Sequence, residues 1–119
     1  MSESKLPIAG EDRGPLAPAE PARLVGLLPY STGAVVSRTL RKSPAGTLTL
    51  FTFDAGQELS EHTAPYDAFV QVLDGAATLT IGGRPVEVRA GEIALMPANV
   101  PHAVRAPSQM TMLLTMFRG

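Results

Sequence analysis

From Ala34 onward apolar and polar residues alternate with a period of two, in short runs that each stop at turn residues. Val35–Leu40 stops before Pro44-Ala45-Gly46, Thr47–Phe53 before Ala55-Gly56, and Phe69–Leu73 at Asp74-Gly75. Ala77–Ile81 stops at Gly82-Gly83, Val86–Arg89 at Ala90-Gly91, Ile93–Met96 at Pro97, and Met110–Phe117 closes the chain. A period of two sends successive side chains to opposite faces, so each run is a strand with one apolar side, and Thr and β-branched residues suit that pleated surface. No stretch after Ala34 keeps the ~3.6-residue period of an amphipathic helix. Short strands without helices to cover them bury their apolar sides only against one another, which predicts an all-β sandwich or barrel. Gly82-Gly83 can take positive φ at both positions and predicts a tight hairpin that pairs Ala77–Ile81 with Val86–Arg89.

With 119 residues the chain is sized for one core. Residues 1–23 carry Pro7, Pro15, Pro18 and Pro21 and no apolar periodicity, so they are expected to form a flexible Pro-rich arm before a domain spanning 24–119. The apolar exit of that arm, Leu24-Val25-Gly26-Leu27-Leu28, is available to dock on the domain or on a partner subunit. Met96, Met110, Met112, Met116, Phe51, Phe53 and Phe69 exceed what one inner face of a small barrel needs, and the surplus points to a homodimer joined through outward apolar strand faces.

Ten Lys and Arg against eleven Asp and Glu give a net charge of −1, with the basic residues scattered singly. That distribution offers no footprint for a phosphate backbone or an anionic membrane surface, so neither nucleic acid nor membrane is an expected partner. No apolar run approaches the ~20 residues of a membrane span. The first residues lack the apolar middle of a secretory signal, and the expected location is cytoplasmic. The absence of Cys excludes disulfides, thiolate metal sites and a Cys nucleophile. Chemistry falls to His, Asp, Glu and hydroxyl groups, and the chain has only two His, His62 and His102.

Both His sit in recognisable patterns. The segment Gly56-Gln-Glu-Leu-Ser-Glu-His62-Thr-Ala64-Pro-Tyr66-Asp67-Ala68-Phe-Val-Gln71-Val-Leu-Asp-Gly75 resembles the first motif of the cupin superfamily: Gly, five residues, His-x-His, three or four residues, Glu, six residues, Gly. After a hairpin, Gly91-Glu92-Ile-Ala-Leu-Met-Pro97-Ala-Asn99-Val-Pro101-His102-Ala-Val-Arg-Ala106 resembles the second: Gly, five residues, Pro-x-Gly, two residues, His, three residues, Asn. The likeness spans roughly Val35 to Met116 and implies a double-stranded β-helix, the jelly-roll cupin barrel, with both motifs at one mouth.

The resemblance also implies a metal site of two His and a Glu from the first motif and one His from the second, suited to Mn, Fe, Ni, Cu or Zn. Here His62 and His102 match two of these ligands, whereas Ala64 stands in place of the second His and Ala68 in place of the Glu. The period of two puts Ala68, Val70 and Val72 on one inner face, with Asp67 and Gln71 out of phase. The expected pocket is therefore apolar, with His62 and His102 at its mouth, Ala64, Ala68, Val70 and Val72 on its wall, and Tyr66 and Asp67 where the chain enters the mouth. Asp67 also suits a turn after Pro65, and Glu92 a hairpin. Any divalent metal (Zn, Ni, Fe, Mn or Cu) is expected to bind weakly. Three functions stay open: a small-molecule binding protein that uses the His pair, a metal-dependent enzyme of dioxygenase or isomerase type with a reduced ligand set, and a dimeric interaction domain with a vestigial pocket.

Overall fold

The computed structural model describes residues 14–118. Most of the expected arm, residues 1–13, lies outside the described residues. Nine strands follow: β1 (Val35–Ser43), β2 (Gly46–Phe53), β3 (Glu58–His62), β4 (Asp67–Asp74), β5 (Ala76–Ile81), β6 (Arg84–Arg89), β7 (Ile93–Met96), β8 (His102–Arg105) and β9 (Met110–Phe117). No helix occurs among the described residues, and none of them belongs to a helix long and apolar enough to cross a membrane.

A five-stranded sheet in the order β1-β2-β9-β4-β7 and a four-stranded sheet in the order β3-β8-β5-β6 enclose the core. Every pairing is antiparallel. Phe53, Val70, Val72 and Met112 from the first sheet meet Ala77, Leu79, Val88 and Val104 from the second. The alternation in β4 is realised directly: Ala68, Val70 and Val72 are buried while Asp67 and Gln71 are exposed. Gly82 and Gly83 have φ of 59° and 80° and turn β5 into β6, with Ile81 facing Arg84 across the hairpin.

Residues before β1 cross the outer face of the larger sheet. Thr52 and Thr111 oppose each other on that face, and both are buried. The Thr52 hydroxyl donates to the Pro29 carbonyl at 3.3 Å. Tyr30 Oη donates to the Asp74 carboxylate at 2.7 Å and lies 2.8 Å from Thr111 Oγ1, so the Thr111 hydroxyl is the donor in that second bond. The segment after the arm is thereby tied to its own domain.

The surplus of apolar side chains is smaller than the sequence suggests. Phe53, Met96, Met110 and Met112 are in the core, and Phe51 and Met116 pack against it from inside. Phe69 lies on the opposite face of β4, with its ring 5.8 Å from that of Phe117. Among the described residues, the large apolar side chains that remain exposed are Val25, Ile93, Leu95 and Phe117.

Gly75 bends the chain from β4 into β5 at φ 75°, and a Cβ placed there would run into the Gln109 carbonyl. Gly75→Ala is expected to lower stability by roughly 2 kcal/mol or more, since left-handed strain adds to a backbone collision. Urea melts check this.

Candidate functional site

The two His meet because β3 and β8 are neighbours and residues 62 and 102 face each other in their register. A bulge between Leu59 and His62 makes this possible. Leu59 opposes Val104, so an unbroken strand would place residue 61 opposite 102; the extra residue turns His62 inward instead.

The ring centroids lie 4.4 Å apart at 72°, and the two Nε2 atoms are 3.2 Å apart. Each ring is anchored from behind. His62 Nδ1 is 2.9 Å from the Ser60 carbonyl and His102 Nδ1 is 3.1 Å from the Val100 carbonyl. A neutral pair has two ring hydrogens for three contacts; with each Nδ1–H given to its carbonyl, which only accepts, both rings present a bare Nε2 and the Nε2–Nε2 contact lacks a hydrogen. His102 is 3% exposed, whereas His62 is open to solvent on one side.

Burial is the main cause that moves the His102 pKa below its ordinary 6.5; the nearby His62 adds to it, and the Val100 carbonyl opposes it. A His whose folded pKa is lowered takes up its proton more readily when unfolded. Its contribution is complete above about pH 6.5 and is lost as the pH falls through the lower folded value. His102→Gln is therefore expected to flatten the stability profile below about pH 6.5, measured by urea melts across that range.

Both rings open onto a cavity of about 250 Å³. Its wall is Phe51 of β2, Leu59 of β3, Ala68 of β4, Met96 of β7, Val104 of β8, Met112, Leu114 and Met116 of β9, and Ala64 from the loop after β3. Among the described residues the imidazoles are the only polar side chains that line it. Asn99 takes the left-handed conformation, φ 65°, at the position where the motif resemblance has Gly, and its N–H donates to the Ala64 carbonyl at 2.8 Å. That bond joins the two loops at the mouth.

Of the expected pocket residues, His62, His102, Ala64 and Ala68 come together here. Val70 and Val72 do not line the cavity. They lie two and four residues further along β4, about 7 and 13 Å deeper at the rise of a strand, inside the packed core. Tyr66 and Asp67 are also elsewhere, beside a separate depression with Pro65, Phe69, Ala98 and Phe117. Asp67 Oδ1 accepts the Ala98 N–H at 2.9 Å, and the Arg118 guanidinium stands 5.4 Å from the centre of the Tyr66 ring. Glu92 has a local role, its Oε1 accepting the Arg89 N–H at 2.9 Å.

Sequence reasoning missed most of the wall. Phe51 shares an inner phase with Phe53, and Met112, Leu114 and Met116 share one phase of β9, so the period of two carries that signal once the faces are assigned.

The donor set only half fits a metal ion. Two nitrogens bound to one tetrahedral ion at ~2.0–2.1 Å lie ~3.3–3.4 Å apart, near the Nε2 separation seen. Beyond the pair, however, the Ala64 and Ala68 methyls face the same space. Among the described residues no group of three or more His, Cys, Asp or Glu could hold an ion. The protein's own side chains thus do not complete a transition-metal shell.

A cupin domain model matches residues 49–117. A conserved protein of unknown function from Streptococcus pyogenes superposes with a TM-score of 0.85 at 30% identity, over 94% of this chain and 96% of that one. A cupin 2 conserved barrel domain protein from Leptotrichia buccalis shares 38% identity at a TM-score of 0.77, over 79% of this chain and 46% of its own. A cupin superfamily protein from Desulfitobacterium hafniense superposes at 0.82 with 24% identity, over 87% of this chain and 95% of that chain. No curated protein matches the chain.

Proposed function

The chain belongs to the cupin family, and on that premise we propose that it binds a small molecule inside the barrel, with His62 and His102 as the polar contact at the mouth. The observation that carries this reading is an open apolar cavity whose only polar side chains, among the described residues, are two imidazoles with Nε2 atoms turned toward each other. Apolar pockets with a few convergent polar groups are the ordinary form of small-molecule sites. The metal-dependent enzyme reading is weaker, because the pair lacks a third protein donor among the described residues. Zn, Ni, Fe, Mn or Cu is accordingly a weak occupant of the pair in this account. A vestigial pocket in an interaction domain is disfavoured because small residues at 64 and 68 keep the space open.

Three of the wall residues are methionines, and their methyl groups report on the cavity. Apolar fragments are expected to shift the NMR signals of Met96, Met112 and Met116 more than that of Met110, which is buried but does not line the cavity. If no fragment moves these signals, or if Met110 responds as strongly as the others, the binding function fails.

Self-association belongs to the same proposal. Ile93, Leu95 and Phe117 are exposed on the larger sheet and fit a second copy of the chain better than water. Light scattering of dilute protein is expected to give a dimer mass; a monomer at every concentration contradicts it.

A further inference from the structure

The donor and acceptor pattern of the pair narrows the ligand further, given that the cavity binds a small molecule at all. We propose that the occupant is a neutral, largely apolar molecule ending in one hydroxyl of phenol or enol type, which donates its hydrogen to the Nε2 atoms of His62 and His102.

Ser60 and Val100 carbonyls hold both Nδ1–H groups, so the two Nε2 atoms, 3.2 Å apart, are both acceptors in the neutral pair. Facing lone pairs are relieved when a donor is shared between them. A ketone, ester or ether brings only acceptors and relieves nothing. A carboxylate brings further acceptors and a negative charge, and among the described residues no Lys or Arg lines the cavity to receive it. An ammonium group donates, yet it carries a full charge into a wall of Met, Leu, Val, Phe and Ala with no Asp or Glu among the described residues to pair it. An amide donates but buries a carbonyl for which no side-chain donor among the described residues lines the cavity.

A hydroxyl meets the requirement without these costs. On a conjugated carbon it is a stronger donor than an aliphatic alcohol, and its oxygen lone pair is drawn into the π system, so it asks for less in return. The cavity volume, about 250 Å³, equals roughly eight waters at ~30 Å³ each, which suits one substituted ring. The sulfurs of Met96, Met112 and Met116 also pack well against aromatic edges.

The test uses four probes of similar shape: 4-ethylphenol, 4-ethylanisole, 4-ethylbenzylamine and 4-ethylbenzoate, titrated at neutral pH against the Met methyl signals. The phenol is expected to bind about tenfold more tightly than its methyl ether, the size of effect one hydrogen bond gives. In His62→Leu, a change at an exposed residue, the phenol-to-ether ratio should fall but stay above one, because the His102 Nε2 still accepts while the facing lone pair is gone; an unchanged ratio overturns the shared-donor geometry. Equal binding of phenol and ether by wild type, or tighter binding of the amine or benzoate, overturns the hydroxyl proposal while leaving the cavity reading intact. Failure of all four probes to move any Met methyl overturns both.

Discussion

Returning an imidazole and a carboxylate to the site, through Ala64→His and Ala68→Glu, is expected to tighten Ni or Zn binding by about a hundredfold or more, on the order of 3 kcal/mol. Both alanines line the same cavity as His62 and His102, so the added donors enter a space that already holds two Nε2 atoms at a spacing close to that of two ligands on one ion. Each new donor replaces a water, and the Glu also brings a negative charge to a dication. Ala68 is 2% exposed, so without metal the new carboxylate is a buried charge and the double variant should melt below wild type. Metal should then raise its melting temperature more than that of wild type, because binding to the folded state alone stabilises it. Calorimetry and thermal melts read the two effects separately. Tight metal binding by wild type that His62→Ala abolishes would contradict the account.

Phe53→Ala should be the most damaging of the aromatic truncations, at about 3–5 kcal/mol. Its side chain is fully buried among core residues, and removing it leaves a void that neighbours in two sheets cannot close. Phe51, two residues away on the same face of β2, borders the existing cavity. Phe51→Ala enlarges open space rather than creating it, and packing is already lost on one side of the ring. Its cost should be smaller by on the order of 1 kcal/mol or more, at an unchanged urea m-value. Equal costs for the two would mean that the cavity is closed in solution.

The barrel was legible because its signal is repetitive. Each of β4, β5 and β9 alternates over several residues, and Gly75 and Gly82-Gly83 punctuate them where positive φ is required. The strands carrying the two His were the hard ones. β3, Glu58-Leu59-Ser60-Glu61-His62, is short and mostly exposed, and β8 is shorter still, so neither shows an alternating apolar pattern of its own. The bulge that turns His62 inward depends on pairing with β8 and has no local signature.

Motif spacing nevertheless put His62, Ala64, Ala68 and His102 together, which periodicity alone does not do. It overreached in depth and at the entry to the mouth. Val70 and Val72 share the inward face of Ala68 but lie beyond the cavity floor, and Tyr66 and Asp67 are drawn outward by the Arg118 and Ala98 contacts. The Met and Phe residues that suggested an interface mostly line the interior, because a barrel that keeps a cavity has more inner wall to cover than a filled one.

At the centre of the account, the His62–His102 pair serves an organic ligand in an apolar cavity rather than a resident metal ion. Elemental analysis of wild-type protein, purified without chelator and without a His-rich tag, measures this most directly. The account predicts transition metal well below one ion per chain; near-stoichiometric metal that disappears in His62→Ala would contradict it.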